Sequence, residues 1–154
     1  MAKRKMFFEL VQDEDGYPPF GVESLWVEET VTPGEYRLDN VPFFVRDATV
    51  GDIVRGVETE GRLEFRERLV RSSSSLVRVV FFDNAATTEV REHLKVLGCS
   101  SEWFEQRKLI AVDVPGSVDL RRVQHYLASC AARGVLDYEE PIIRHPELPP
   151  LEPE

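Results

Sequence analysis

Carboxylates and histidines are the groups in this chain that could do chemistry, and two carboxylates come forward first. Asp83 closes the apolar run that begins at Leu76, and Asp113 lies at the end of the run that begins at Leu109. Two carboxylates at strand ends could share acid and base roles on one substrate. Antiparallel strands would instead put them at opposite ends of a sheet, about six residues apart at ~3.3 Å each. Asp83 is then expected to help cap the helix after it, and Asp113 to sit on a rim or an exposed face. A second set, Asp13, Asp15, Asp39 and Asp52, falls in turn segments. Asp13-Glu-Asp-Gly-Tyr-Pro opens like a calcium loop but lacks the later ligands and the bidentate glutamate.

His93, His125 and His145, with Cys99 and Cys130, lack the spacings that gather ligands on one side of a metal. They read as ordinary helix-surface histidines and reduced thiols, so no metal and no cofactor are expected. No glycine-rich phosphate loop, nucleophile elbow or Ser-His-Asp order stands out.

The elements that must position these groups follow from composition and period. With 154 residues, 42% hydrophobic and 31% charged, the chain suits one domain or two small ones. No run approaches the ~18 apolar residues of a membrane span, and acids at Glu9 and beyond interrupt the basic start before a signal core can form. A cytoplasmic protein with no membrane association is expected.

Leu76 to Asp83 reads as a central strand covered on both faces. Residues 1–71 before it show short strand-like runs with no helical period, among them Gly21 to Val31, Tyr36 to Asn40 and a hairpin about Glu60-Gly61. In that hairpin Leu63, Phe65 and Leu69 are expected inward, and Glu67 on the inward parity requires a bulge. Together these strands predict a small, strongly bent sheet or half-barrel. Ser72 to Ser75 predicts a linker that packs nothing.

Residues 76–140 then alternate strand, helix, strand, strand, helix, strand. The stripe Ala86, Val90, Leu94, Leu97 marks the first helix and Leu120, Val123, Leu127, Cys130 the second. Gly98 and Gly134 close them. That order predicts a ferredoxin-like unit with its first and third strands central, and the class as a whole is α+β. Residues 141–154, rich in proline and acids, predict a loosely ordered tail.

Charge is unevenly placed. The formal net charge is −9, and between Met6 and Tyr36 eight acids meet no lysine or arginine. Such a block favours a partner with a basic surface and argues against nucleic-acid binding; its bland reading is a solvated face that keeps the chain soluble. The third strand, Leu109 to Val114, also lacks the exposed aromatics that RNA stacking needs.

The ordered segments Asp15-Gly-Tyr-Pro-Pro19, Glu23-Ser-Leu-Trp26, Tyr36-Arg-Leu-Asp-Asn40, Pro42-Phe-Phe44, Val77-Arg-Val-Val-Phe-Phe-Asp83 and Ala111-Val-Asp-Val-Pro115 resemble a bacterial domain-of-unknown-function family of small cytoplasmic proteins. The resemblance implies a single bacterial module and carries no activity, catalytic residue or cofactor. The expected function is therefore non-enzymatic protein binding, most concretely an immunity-type protein that occludes a toxin's surface. Asp13, Asp15, Glu23, Glu28 and Glu29 would steer, and Tyr17 or Trp26 would anchor. The alternatives are a ferredoxin-like module sensing a small ligand and, third, an enzyme with its site between the two units, for which Asp39 and Asp52 are the carboxylates to inspect.

Overall fold

A computed structural model describes residues 2–152 and divides into two compact units, Met1–Ser72 and Ser73–Glu154. In the first, β1 (Lys3–Glu9), β2 (Val22–Glu29), β3 (Glu35–Leu38), β4 (Ile53–Thr59) and β5 (Arg62–Val70) each pair antiparallel with the next. Four reversals leave β1 and β5 pointing the same way, and they close a barrel through a short parallel ladder, Met6 to Leu63 and Phe7 to Glu64. The expected half-barrel is thus a complete one, and closure removes the open edges that a bent sheet would leave.

Alternation supplies the lumen: Met6, Phe8, Leu25, Val27, Tyr36, Leu38, Val54 and Leu63 are all buried there. Gly56 leaves room for Met6: a Cβ at that position would lie 2.5 Å from the Met6 methyl group, which would have to shift. The hairpin turn uses Glu60 and Gly61, both at positive φ (53° and 83°), as a two-residue turn matched to strand twist requires. Arg55 pairs with Glu67 and Gly56 with Phe65, so Arg66 is the extra residue of the bulge that Glu67 demanded. A second shift, with Ile53 opposite Val70 and Val54 opposite Arg68, makes Leu69 extra as well. Leu69 is consequently 40% exposed, not inward as alternation alone suggests.

The serine run is not an inert spacer. Ser72 donates its backbone N–H to Asp52 at 2.9 Å and its hydroxyl to the Val50 carbonyl at 2.7 Å, and Ser75 already belongs to the next strand. Short hydroxyl side chains suit this place because they satisfy backbone groups at strand ends.

The second unit contains β6 (Ser75–Phe81), α1 (Thr87–Val96), β7 (Ser100–Phe104), β8 (Leu109–Val114), α2 (Leu120–Ala132) and β9 (Leu136–Ile142). Its sheet runs β7-β8-β6-β9 with every neighbour antiparallel, so β6 and β8 are central. One face of the sheet, through Val77, Val79, Phe81, Ile110, Val112 and Val114, packs against Val90 and Leu94 of α1 and the Leu120, Val123, Leu127, Cys130 stripe of α2. Pro141 lies inside edge strand β9 where the ladder shifts, a position that tolerates a missing N–H. No helix among the described residues is long and apolar enough to cross a membrane.

Candidate functional site

Asp83 and Asp113 do not meet. Asp113 pairs with Leu76 at the start of β6, whereas Asp83 follows the end of that strand. The Asp83 carboxylate accepts from Ala85 N–H at 2.9 Å and caps the turn into α1. Asp113, expected on a rim or exposed face, is buried at 7% exposure, with Ser74 and His145 beside its carboxyl. Burial raises its carboxyl pKa above 3.8, against smaller opposing effects of the Ser74 hydrogen bond and the charge of His145.

The folded chain therefore holds that proton more tightly than the unfolded chain does. Its favourable contribution is complete below pH 3.8 and is lost as pH rises through the raised value. Asp113→Asn, permanently neutral, is expected to match the parent near the acid limit and to be the more stable of the two at neutral pH, where the parent must bury a charge. Thermal unfolding of both proteins across that pH range measures this; a variant less stable at neutral pH shows that the charged form is the one the fold favours.

One serine and one histidine do come together. Ser75 Oγ lies 2.6 Å from His145 Nδ1, and His145 Nε2 lies 2.9 Å from the Pro115 carbonyl. A carbonyl only accepts, so Nε2 carries a proton, and in the neutral ring Nδ1 accepts from the Ser75 hydroxyl. Ser75 Oγ also accepts from Arg144 N–H at 2.8 Å and is wholly buried. It is a clasp that fixes the chain after β9, which the proline-rich composition predicted to be loose, and it takes His145 out of the helix-surface class. Met1 and residues 153 and 154, the last two of the acidic tail, lie outside the described residues. Burial pushes the Cys99 thiol up to about 12, which keeps it protonated and unreactive. Among the described residues no three His, Cys, Asp or Glu side chains gather as metal ligands.

The residues expected to bind a partner separate into four roles. Asp13 accepts from Asp15 and Tyr17 N–H, each at 2.9 Å, and so shapes the exposed loop holding all three. Glu23 is half-buried and accepts backbone N–H bonds from Phe43 at 2.7 Å and from Phe44 and Val45 at 2.9 Å. It fastens the segment after β3. Glu29 is half-buried opposite Tyr36. Trp26 and Glu28 remain together on the outer face of β2.

Around Glu28 and Trp26 the acidic block is not an acidic surface. Strand pairing sets Lys3 and Arg37 on either side of Glu28 and Lys5 beside Trp26. The Lys5 ammonium is 4.8 Å from the Trp26 ring centroid, and Lys3 is 2.6 Å from Asp39. Bases just outside the acidic stretch in sequence are its cross-strand neighbours in space. Asp39 and Asp52, the carboxylates considered for catalysis, are also engaged: Asp52 is fully buried and accepts from Thr49 and Ser72 N–H.

These two sheets with their helices make an α+β fold, shared with a solved structure described as a novel crystal structure of a hypothetical protein from Neisseria gonorrhoeae. The similarity has a TM-score of 0.72 at 14% identity and covers 93% of this chain and 96% of that one. The chain belongs to the DUF4265 family, a domain of unknown function, whose family model matches residues 23–138. No curated protein matches.

Proposed function

We propose that this chain is a non-enzymatic protein-binding module that recognises its partner through the outer face of β1 and β2. Trp26 carries the reading: it is 44% exposed on a strand of a closed barrel, beside a lysine ammonium, and tryptophan is among the residues enriched in binding hot spots. The carboxylates considered for catalysis support it too, since Asp52 and Asp83 are engaged by backbone N–H groups and Asp39 by Lys3.

In its more specific form the module is an immunity-type protein that occludes a toxin's active or target-binding surface. The net charge of −9 supports a basic partner. The mixed signs around Trp26 support contact through the ring itself over steering by Asp13, Asp15, Glu23, Glu28 and Glu29. We read the second unit as ferredoxin-like, on the strength of its β7-β8-β6-β9 order and its two helices on one face. The small-ligand alternative draws support from a groove of about 800 Å³ along α1 and β7, with Trp103 among its lining residues.

Capture of a partner from the native host by the parent, followed by affinity measurement, tests the reading. Trp26→Ala is expected to weaken binding by at least about tenfold, or ~1.4 kcal/mol, while Glu28→Lys with Glu29→Lys weakens it less. Undiminished affinity in a folded Trp26→Ala variant rejects this surface.

A further inference from the structure

We infer a second site on the barrel, away from Trp26: a cleft for a free aromatic amino acid in its zwitterionic form, where β1 and β5 part. The parallel ladder that closes the barrel spans only two residue pairs. Beyond it the bulge at Arg66 redirects β5, and the chain after β1 turns toward β2, with Leu10 N–H donating to the Gly21 carbonyl at 3.0 Å. The gap is a cleft of about 540 Å³, within the roughly 300–1,000 Å³ of small-ligand sites.

Its lining is mixed: the half-buried Leu10 and Phe65 form its apolar side, with the buried Phe8, Pro18 and Phe44 behind them. Phe65 stacks on the buried Phe8 with centroids 4.6 Å apart and planes 22° from parallel, so the one ring that faces the cleft from β5 is held in place. Charges of both signs line the same cleft. Arg62 and Arg66 share Glu64, at 3.9 and 3.6 Å, and Arg62 also covers the Phe7 ring at 4.1 Å. Arg46, Glu9 and Asp47 are left, all exposed and none in an ion pair among the described residues.

One guanidinium and two carboxylates with no ion-pair partner among the described residues, beside the Phe65 ring, select a ligand carrying a carboxylate, an ammonium and a ring. Arg46 suits the carboxylate in bidentate geometry, and Glu9 or Asp47 the ammonium. A purely anionic aromatic would confront two carboxylates and a purely cationic one a guanidinium, which disfavours both.

Calorimetric titration of the full chain with L-phenylalanine, L-tyrosine and L-tryptophan tests the site, with phenylacetate and phenethylamine as single-charge probes. At least one amino acid is expected to bind saturably, and each single-charge probe about tenfold more weakly or worse. Arg46→Glu, a surface change, is expected to weaken the amino acid by about tenfold, and Phe65→Leu to weaken it while preserving the fold. Trp26→Ala is expected to leave it unchanged, which separates this site from the protein-binding face. Absence of saturable binding by all three amino acids, equal binding of phenylacetate, or indifference to Arg46→Glu overturns the assignment.

Discussion

Glu23→Ala is expected to lower the stability of the N-terminal barrel by about 3 kcal/mol, because one carboxylate satisfies three consecutive backbone donors, Phe43, Phe44 and Val45. Hydrogen bonds to charged groups contribute roughly 1.5–3 kcal/mol each, and this site is half-buried, so water replaces part of the loss. For a unit of this size that corresponds to a fall in melting temperature on the order of 10–20 °C. Glu23→Gln separates charge from geometry. Its amide oxygen can keep the Phe44 and Val45 bonds, but its NH₂ then faces the Phe43 N–H, so about half the loss is expected. Thermal unfolding monitored by circular dichroism gives the magnitude, and amide exchange at residues 43–45 gives the location. A Glu23→Ala protein within about 1 kcal/mol of the parent, with protection there intact, would show that Val41, Phe44 and Val45, all buried, hold the segment unaided.

Asp52→Asn is the second large effect, expected to cost about 2–3 kcal/mol although it changes only one atom. The two carboxylate oxygens have different partners, Thr49 N–H at 3.0 Å and Ser72 N–H at 2.9 Å. An asparagine offers one acceptor, and its NH₂ must then confront a backbone donor in a site with no exposure. An unsatisfied buried donor costs about 1–3 kcal/mol. Urea unfolding should show a lower midpoint with an unchanged slope. Parent-like stability would mean that local backbone movement re-pairs both donors.

Both predictions concern carboxylates that the linear sequence presents as candidates for steering or chemistry. What distinguishes Glu23 from Glu28 is the direction each faces from β2. Alternation makes that visible, since Glu23 shares the parity of Leu25 and Val27; the partner it finds, a segment twenty residues away, is not visible. The mixed charge around Glu28 and Trp26 has the same cause. Lys3 and Lys5 precede the block and Arg37 follows it, and only antiparallel pairing brings them alongside Glu28 and Trp26. The cleft between β1 and β5 was equally hidden, because it depends on where a parallel contact ends. One signal of it was readable: the inward parity of Glu67 required the bulge whose extra residue, Arg66, redirects β5.

By itself the sequence determined the local elements. Helical period placed Leu120, Val123, Leu127 and Cys130 on one buried stripe, Gly98 and Gly134 ended the helices, and the apolar runs of β6 and β8 marked the two central strands. These are short-range properties, set by side-chain spacing and by the backbone freedom of single residues. Tertiary structure alone decided that the barrel closes, that Asp113 is buried, that His145 clasps Ser75, and which charges face one another. Each of those depends on pairing between residues far apart in the chain, and register across strands is a property of the assembled sheet and not of any one segment.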